Sequence, residues 1–318
     1  MTKRVRQGVL ALMIGVLLGL LAALLLVRAR IAAQPPGVQA PAVTPAAASA
    51  PTAPPTPSET PLPTSPEPAQ VPTDAQPEPR NEAAAELFRR FTGEHTGRWS
   101  LCFLALPDGE PVIWGGEEGP MVSASLIKLP IMGAVYEAIA AGKLDPAQCE
   151  GLLGPMITVS DNGSANALVR LLGDGDADRG MAAVNDWCQR QGLTDTRMLR
   201  LMLADNGLQN YTGAADCARF LESVYRGDCV SPAASREMLE LLLAQTVNDR
   251  LPARLPEGTP VAHKTGDLSG LCCADVGIVF SPGGDYILCL ICNDQDYDLD
   301  ARDAEAELSA KIYGLANP

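Results

Sequence analysis

Val122-Ser123-Ala124-Ser125-Leu126-Ile127-Lys128-Leu129-Pro130 opens an apolar segment that continues through Ile131, Met132, Ala134, Val135 and Ile139. The apolar positions recur at helical spacing. They predict a largely buried helix that starts near Ser123 or Ala124, runs to about Ala141 and is ended by Gly142. Pro130 has no N–H, so it frees the carbonyl of Leu126 and predicts a kink. Ser125 and Lys128 stand three apart, on one helix face, about one turn from each other. A serine hydroxyl is a poor nucleophile until a base removes its proton. A lysine amine whose pKa is depressed by burial or by neighbouring cations can be that base. Taken alone, Ser-x-x-Lys is weak, because a polar N-terminus on a core helix accounts for most such pairs.

Outward from this stretch the chain alternates between strand and helix patterns. Upstream, residues 81–91 read as a helix with Leu87, Phe88 and Phe91 on one side. Residues 99–106 and 112–114 read as a hairpin around Pro107-Asp108-Gly109. Downstream, Ser160-Asp161-Asn162 reads as a turn between helices. Helical patterns then cover 165–172, 178–191, 213–225 and 233–244, and 194–212 is a long structured loop without periodicity. Strands follow at 261–266, 276–280 and 286–292, and a closing helix at 301–313. Strands at both ends with helices between them predict an α+β domain: an antiparallel sheet built from both termini, flanked by helices, with a helical subdomain in the middle.

Ser125-x-x-Lys128, Ser160-Asp161-Asn162 and Lys264-Thr265-Gly266 occur in the order used by penicillin-recognising serine enzymes. Over residues 81–318 the sequence resembles the class A β-lactamase and penicillin-binding superfamily, and the run 207–216 resembles its less studied serine-hydrolase branch. The resemblance implies roles. Ser125 attacks the carbonyl and Lys128 takes or relays its proton. Ser160 hands a proton to the departing nitrogen, and Asn162 donates to the substrate amide. Lys264 and Thr265 meet the substrate carboxylate. Backbone N–H groups of Ser125 and of Asp267, the residue after Gly266, hold the oxyanion. No cofactor and no metal is implied. His263 precedes Lys264 and should face away from it by strand alternation, as a structural residue. Each motif also has a bland reading: a solvated strand lysine, or a helix cap at Ser160-Asp161.

The sequence departs from the class A pattern in the long loop. Those enzymes carry a glutamate there that activates the deacylating water. Matching on Thr196-Arg197 and Arg200 puts Met202 at that place, and a thioether cannot take a proton. Asp205 is the nearest carboxylate, and Arg200 is expected to brace the loop by pairing with an acid. The arginine usual on the strand after Lys-Thr-Gly is also missing, with Ala274 in its position. The stretch between Lys128 and Ser160 is shorter than in typical class A enzymes. Three readings stay open: a serine acyl hydrolase, a cell-wall D-alanyl carboxypeptidase or transpeptidase, and a catalytically weak β-lactam or peptidoglycan-binding sensor. The partner in each is a small β-lactam or a peptidoglycan peptide.

Composition bounds the rest. The formal net charge is -14; residues 1–80 carry +2, so residues 81–318 carry -16. A domain this acidic lacks the Lys and Arg that phosphate contacts require, which excludes a nucleic-acid binder. Residues 8–27 form a 20-residue uncharged stretch rich in Leu, Ala and Val, flanked by Lys3, Arg4 and Arg6 and by Arg28 and Arg30. It is long enough for one transmembrane helix, and long for a cleaved signal peptide. Positive charge on both sides gives only a slight preference for a cytoplasmic N-terminus. Of the 27 prolines, 15 lie between Pro35 and Pro79, so 34–80 reads as a disordered Pro/Ala/Thr-rich linker reaching on the order of 100 Å. The expected organisation is a cytoplasmic N-terminus and anchor over 1–33, the linker over 34–80, and an extracytoplasmic hydrolase domain over 81–318. All nine cysteines lie beyond residue 100, and the odd number leaves at least one without an intrachain partner. Buried small residue is the default for most of them. Adjacent Cys272 and Cys273 should point to opposite faces of a strand. Oligomeric state is not legible.

Overall fold

The computed structural model describes residues 78–295 and 298–318. Residues 1–77, with the expected anchor and nearly all of the linker, lie outside the described residues. Among the described residues no helix is long and apolar enough to cross a membrane.

The apolar runs at the two ends of the domain build one sheet. Strands β1 (Arg98–Ala105), β2 (Val112–Gly115), β5 (Val261–Leu268), β6 (Cys272–Val279) and β7 (Tyr286–Asn293) pair in the order β2-β1-β7-β6-β5, all antiparallel. The last strand in sequence is therefore the central one, and β5 is an edge. Every residue of β6 and β7 is buried. Both faces of these strands are covered, which is why they read as continuous apolar runs rather than as alternation. One face packs on α1 (Glu78–Glu94) and α9 (Asp298–Ala316) through Ala84, Phe88, Leu101, Leu288, Leu308 and Ile312. The other face, with Cys102, Ile278, Cys289 and Ile291, packs on the helical layer. That layer contains α2 (Lys128–Ala140), α3 (Pro146–Cys149), α4 (Leu153–Thr158), α5 (Asn162–Leu172), α6 (Ala177–Arg190), α7 (Ala214–Arg226) and α8 (Pro232–Leu243).

The expected helices and strands form, with shifted ends. The opening helix differs more. Ala124–Ile127 is a 3₁₀ turn, and the α-helix begins only at Lys128. Pro130 thus falls in the first turn of α2, where a missing N–H costs little, and it does not interrupt a helix interior. A two-stranded sheet of β3 (Met121–Val122) and β4 (Tyr211–Thr212) is too short to leave a periodic signal. The nine cysteines are all buried and unbridged. Cys272 joins the core on the helical-layer side while Cys273 points the other way, as their adjacency on β6 requires.

Candidate functional site

Three segments hold the turn that carries Ser125. Asn293, buried on β7, accepts from the Val122 N–H at 2.6 Å and donates to its carbonyl at 3.2 Å. The carbonyl of Asn210 accepts from the Ser123 N–H at 2.8 Å. Gly266 on β5 lies flat against the turn: a Cβ there would sit 3.1 Å from both the Ser123 carbonyl oxygen and Leu126 Cγ. A side chain at this position would press the edge strand or the turn apart by a few tenths of an ångström. Ala124 is forced to φ 43, and Ser160 in the interhelical turn to φ 58. Left-handed backbone at non-glycine residues costs roughly 1–3 kcal/mol each, and here it sits beside two of the expected catalytic hydroxyls.

Lys128 is fully buried, and its Nζ lies among four oxygens: Ser125 Oγ at 3.0 Å, Ser160 Oγ at 3.0 Å, the Ser160 carbonyl at 2.6 Å and Asn162 Oδ1 at 2.8 Å. Lys264, also fully buried, donates to Ser160 Oγ at 3.0 Å and to the Thr265 carbonyl at 2.7 Å. The Ser160 hydroxyl therefore bridges two lysines, in a chain Ser125–Lys128–Ser160–Lys264. Asp161 is drawn away to cap α5 through the Ser164 N–H at 2.5 Å. The bland reading of Ser160-Asp161 as a cap and the functional one are thus both realised, by neighbouring side chains.

Among the described residues neither ammonium is ion-paired with a carboxylate. Burial pushes Lys128 down to about 8, against a smaller opposing pull from Asp161. Burial, and then the nearby Lys128 charge, push Lys264 down to about 7. Two ammoniums around one hydroxyl in a dry site repel each other, so near neutral pH the pair sheds a proton.

Thr265 alternates to the other face of β5, the face of His263 and Asp275. His263 is structural, as expected. Its Nδ1 lies 2.9 Å from Asp275 Oδ1 and its Nε2 3.0 Å from Asn248 Oδ1. Asp267 follows on the same face, where its carboxylate meets two arginines that the sequence reading missed. Arg250 donates to Asp267 Oδ1 at 2.6 Å and to the Ala274 carbonyl at 2.8 Å; Arg302 donates to the same Oδ1 at 2.7 Å. The Ala274 position lacks an arginine side chain, yet the Arg250 guanidinium lies against its backbone. Arg250 carried no local signal, because it precedes β5 in a stretch without periodicity and its partners lie 17 and 24 residues away.

The long loop is tied to the same site. Asn166, one turn beyond Asn162 on α5, donates to the Met202 carbonyl at 3.1 Å and accepts from the Met202 N–H at 2.8 Å. Met202 is buried and Asp205 is exposed. Arg200 does brace the loop, and among the described residues it does so without an acid: it donates to Gln209 Oε1 at 2.9 Å and to the Leu201 and Ala204 carbonyls.

Comparison with known proteins agrees with the fold. The model of the "Beta-lactamase enzyme family" matches residues 81–149 and 147–316. The extended-spectrum β-lactamase PER-1 of Pseudomonas aeruginosa is 30% identical over 149 residues, covering 43% of this chain and 46% of that protein. The match thus spans about half the length of this curated relative. The structure of PBP-A superposes with a TM-score of 0.64 at 24% identity, over 73% of this chain and 95% of that one. A PBP-A variant solved as an acyl-enzyme complex with penicillin G gives 0.63 at 25% identity, over 74% and 96%. The chain belongs to the β-lactamase enzyme family.

Proposed function

We propose that this chain is a membrane-anchored, extracytoplasmic serine enzyme, acylated on Ser125 by β-lactams or related acyl-D-alanyl peptides. The observation that carries the reading is Lys128 Nζ, 3.0 Å from both Ser125 Oγ and Ser160 Oγ. In its neutral form Lys128 takes the Ser125 proton as Oγ bonds to the carbonyl carbon. The oxyanion is held by the backbone N–H groups of Ser125 and Asp267. As the C–N bond breaks, the proton passes through the bridging Ser160 hydroxyl to the departing nitrogen, leaving an ester on Ser125. Lys264, which bridges to Ser160, receives the substrate's polar end, and Asn162 its amide.

Release of that ester needs a base for water. Met202, clamped by Asn166, offers none, which favours the reading of a long-lived acyl-enzyme, as in a penicillin-binding protein or a sensor, over rapid lactam turnover. The test is incubation of the full-length chain, in detergent, with fluorescent penicillin while intact mass is recorded over time. Expected is a single persistent adduct, absent from Ser125→Ala and lost at least tenfold faster from Met202→Glu. Steady hydrolysis with only a transient adduct would make the protein a true lactamase. No adduct on the unaltered chain would leave ligand capture without acylation.

A further inference from the structure

The arginine pair beside β5 is already occupied by the protein itself. Arg250 and Arg302 converge on one oxygen of Asp267, at 2.6 and 2.7 Å. Arg302 also reaches Asp249 Oδ2 at 3.2 Å, and Arg250 Nε lies 3.4 Å from Asp249 Oδ1. Two guanidiniums thus face two carboxylates, and their charges cancel. Glu305 lies buried behind them on α9, where burial raises its carboxyl well above the usual carboxylate range and the nearby Arg250 opposes that shift. Arg250 is completely buried, whereas the Asp267 side chain is 40% exposed, so Asp267 is the open end of the cluster. It stands on the same face of β5 as Thr265, two residues along, next to the backbone assigned to the oxyanion. A guanidinium fork suits a carboxylate, and here a carboxylate of the chain fills it.

We propose that Asp267 is a specificity-determining residue that substitutes for a substrate carboxylate, so that the site selects acyl donors whose carboxyl at this position is capped as an amide or an ester. A donor with a free carboxylate must either displace Asp267 from both arginines or bring a third anion against it. A cationic group there would meet the Arg302 guanidinium. An uncharged cap meets neither penalty.

The proposal rests on acylation of Ser125, and its test separates the two. Second-order acylation rates of the full-length chain are measured with benzylpenicillin and with its methyl ester, for the unaltered chain, Asp267→Asn and Asp267→Ser. The unaltered chain should take the ester at least as fast as the free acid. Either variant should shift the acid-to-ester ratio at least tenfold toward the acid. A tenfold preference of the unaltered chain for the acid, or a ratio that neither variant moves, overturns the proposal. In parallel, inorganic sulfate is titrated at fixed ionic strength into Ser125→Ala chains with and without Asp267→Asn or Asp267→Ser. Loss of the carboxylate should tighten sulfate binding at least tenfold, and unchanged affinity overturns the proposal. If sulfate binding tightens but neither penicillin labels Ser125, the acylation reading fails while the vacated anion site stands.

Discussion

Lys128 and Lys264 show how two side chains of one type acquire different duties. Both are buried, and burial lowers the basicity of both, with the neighbouring Lys128 charge adding to the shift at Lys264. Lowering Lys128 from 10.5 to about 8 raises its neutral fraction at pH 7 roughly 300-fold, and the neutral amine is the form that can accept the Ser125 proton. A polar or anionic substrate group near Lys264 would keep charge there and shift neutrality toward Lys128. The sign follows: acylation requires the deprotonated base, so the rate should climb with pH, roughly tenfold per unit below about pH 7, and level off above about 8. Single-turnover labelling across pH 5.5–9.5 checks this. Lys128→Arg, which stays protonated throughout, should remove the rising limb and at least about a thousandfold of the rate. A flat profile for the unaltered chain would show that Lys128 does not serve as the base.

The loop from Thr194 to Thr212 has no periodicity because its order comes from side chains bonding to backbone. Asn210, 3% exposed, accepts from the N–H groups of Leu199 and Arg200 and donates to the Arg200 carbonyl, while its own carbonyl holds Ser123. Asn185 spans Met198 in the same way, and Asn166 spans Met202. Buried Asp216 receives the Thr196 hydroxyl and the Asp195 N–H, both at 2.8 Å. Hydrophobic patterning registers none of this, whereas the motif triplets were legible because each combined residue type with position on an element. Asn210→Ala would strand two donors and an acceptor and should cost about 2–3 kcal/mol. Equilibrium denaturation measures the loss, and hydrogen exchange should rise first over residues 196–213. Loss of that protection should also slow labelling of Ser125, because the same residue steadies Ser123. Unchanged exchange in the loop would mean that the asparagine is not its anchor.

At the scale of the molecule, the α+β architecture was readable because both covered faces of the sheet demand short apolar runs, and the runs bounded by turn residues lie near the two ends of the domain. The arginine–aspartate cluster was not, since its ion pairs join residues 17 and 35 apart with no local pattern between them. Charge is the other property that belongs to the whole chain. Residues 1–80 carry +2 and those beyond them -16, which bears on the proposed membrane association. An acidic domain is repelled by anionic lipid headgroups, so nothing in its charge would hold it at a bilayer. On the proposed anchoring, attachment would fall to the 20 uncharged residues 8–27, whose length suits one helical crossing. The full chain should therefore sediment with membranes and resist extraction by high salt and by carbonate. Removal of residues 1–33 should move it entirely to the soluble fraction with Ser125 still labelled by penicillin. A truncated chain that stays with the membrane, or a full chain released by salt alone, would place the attachment elsewhere.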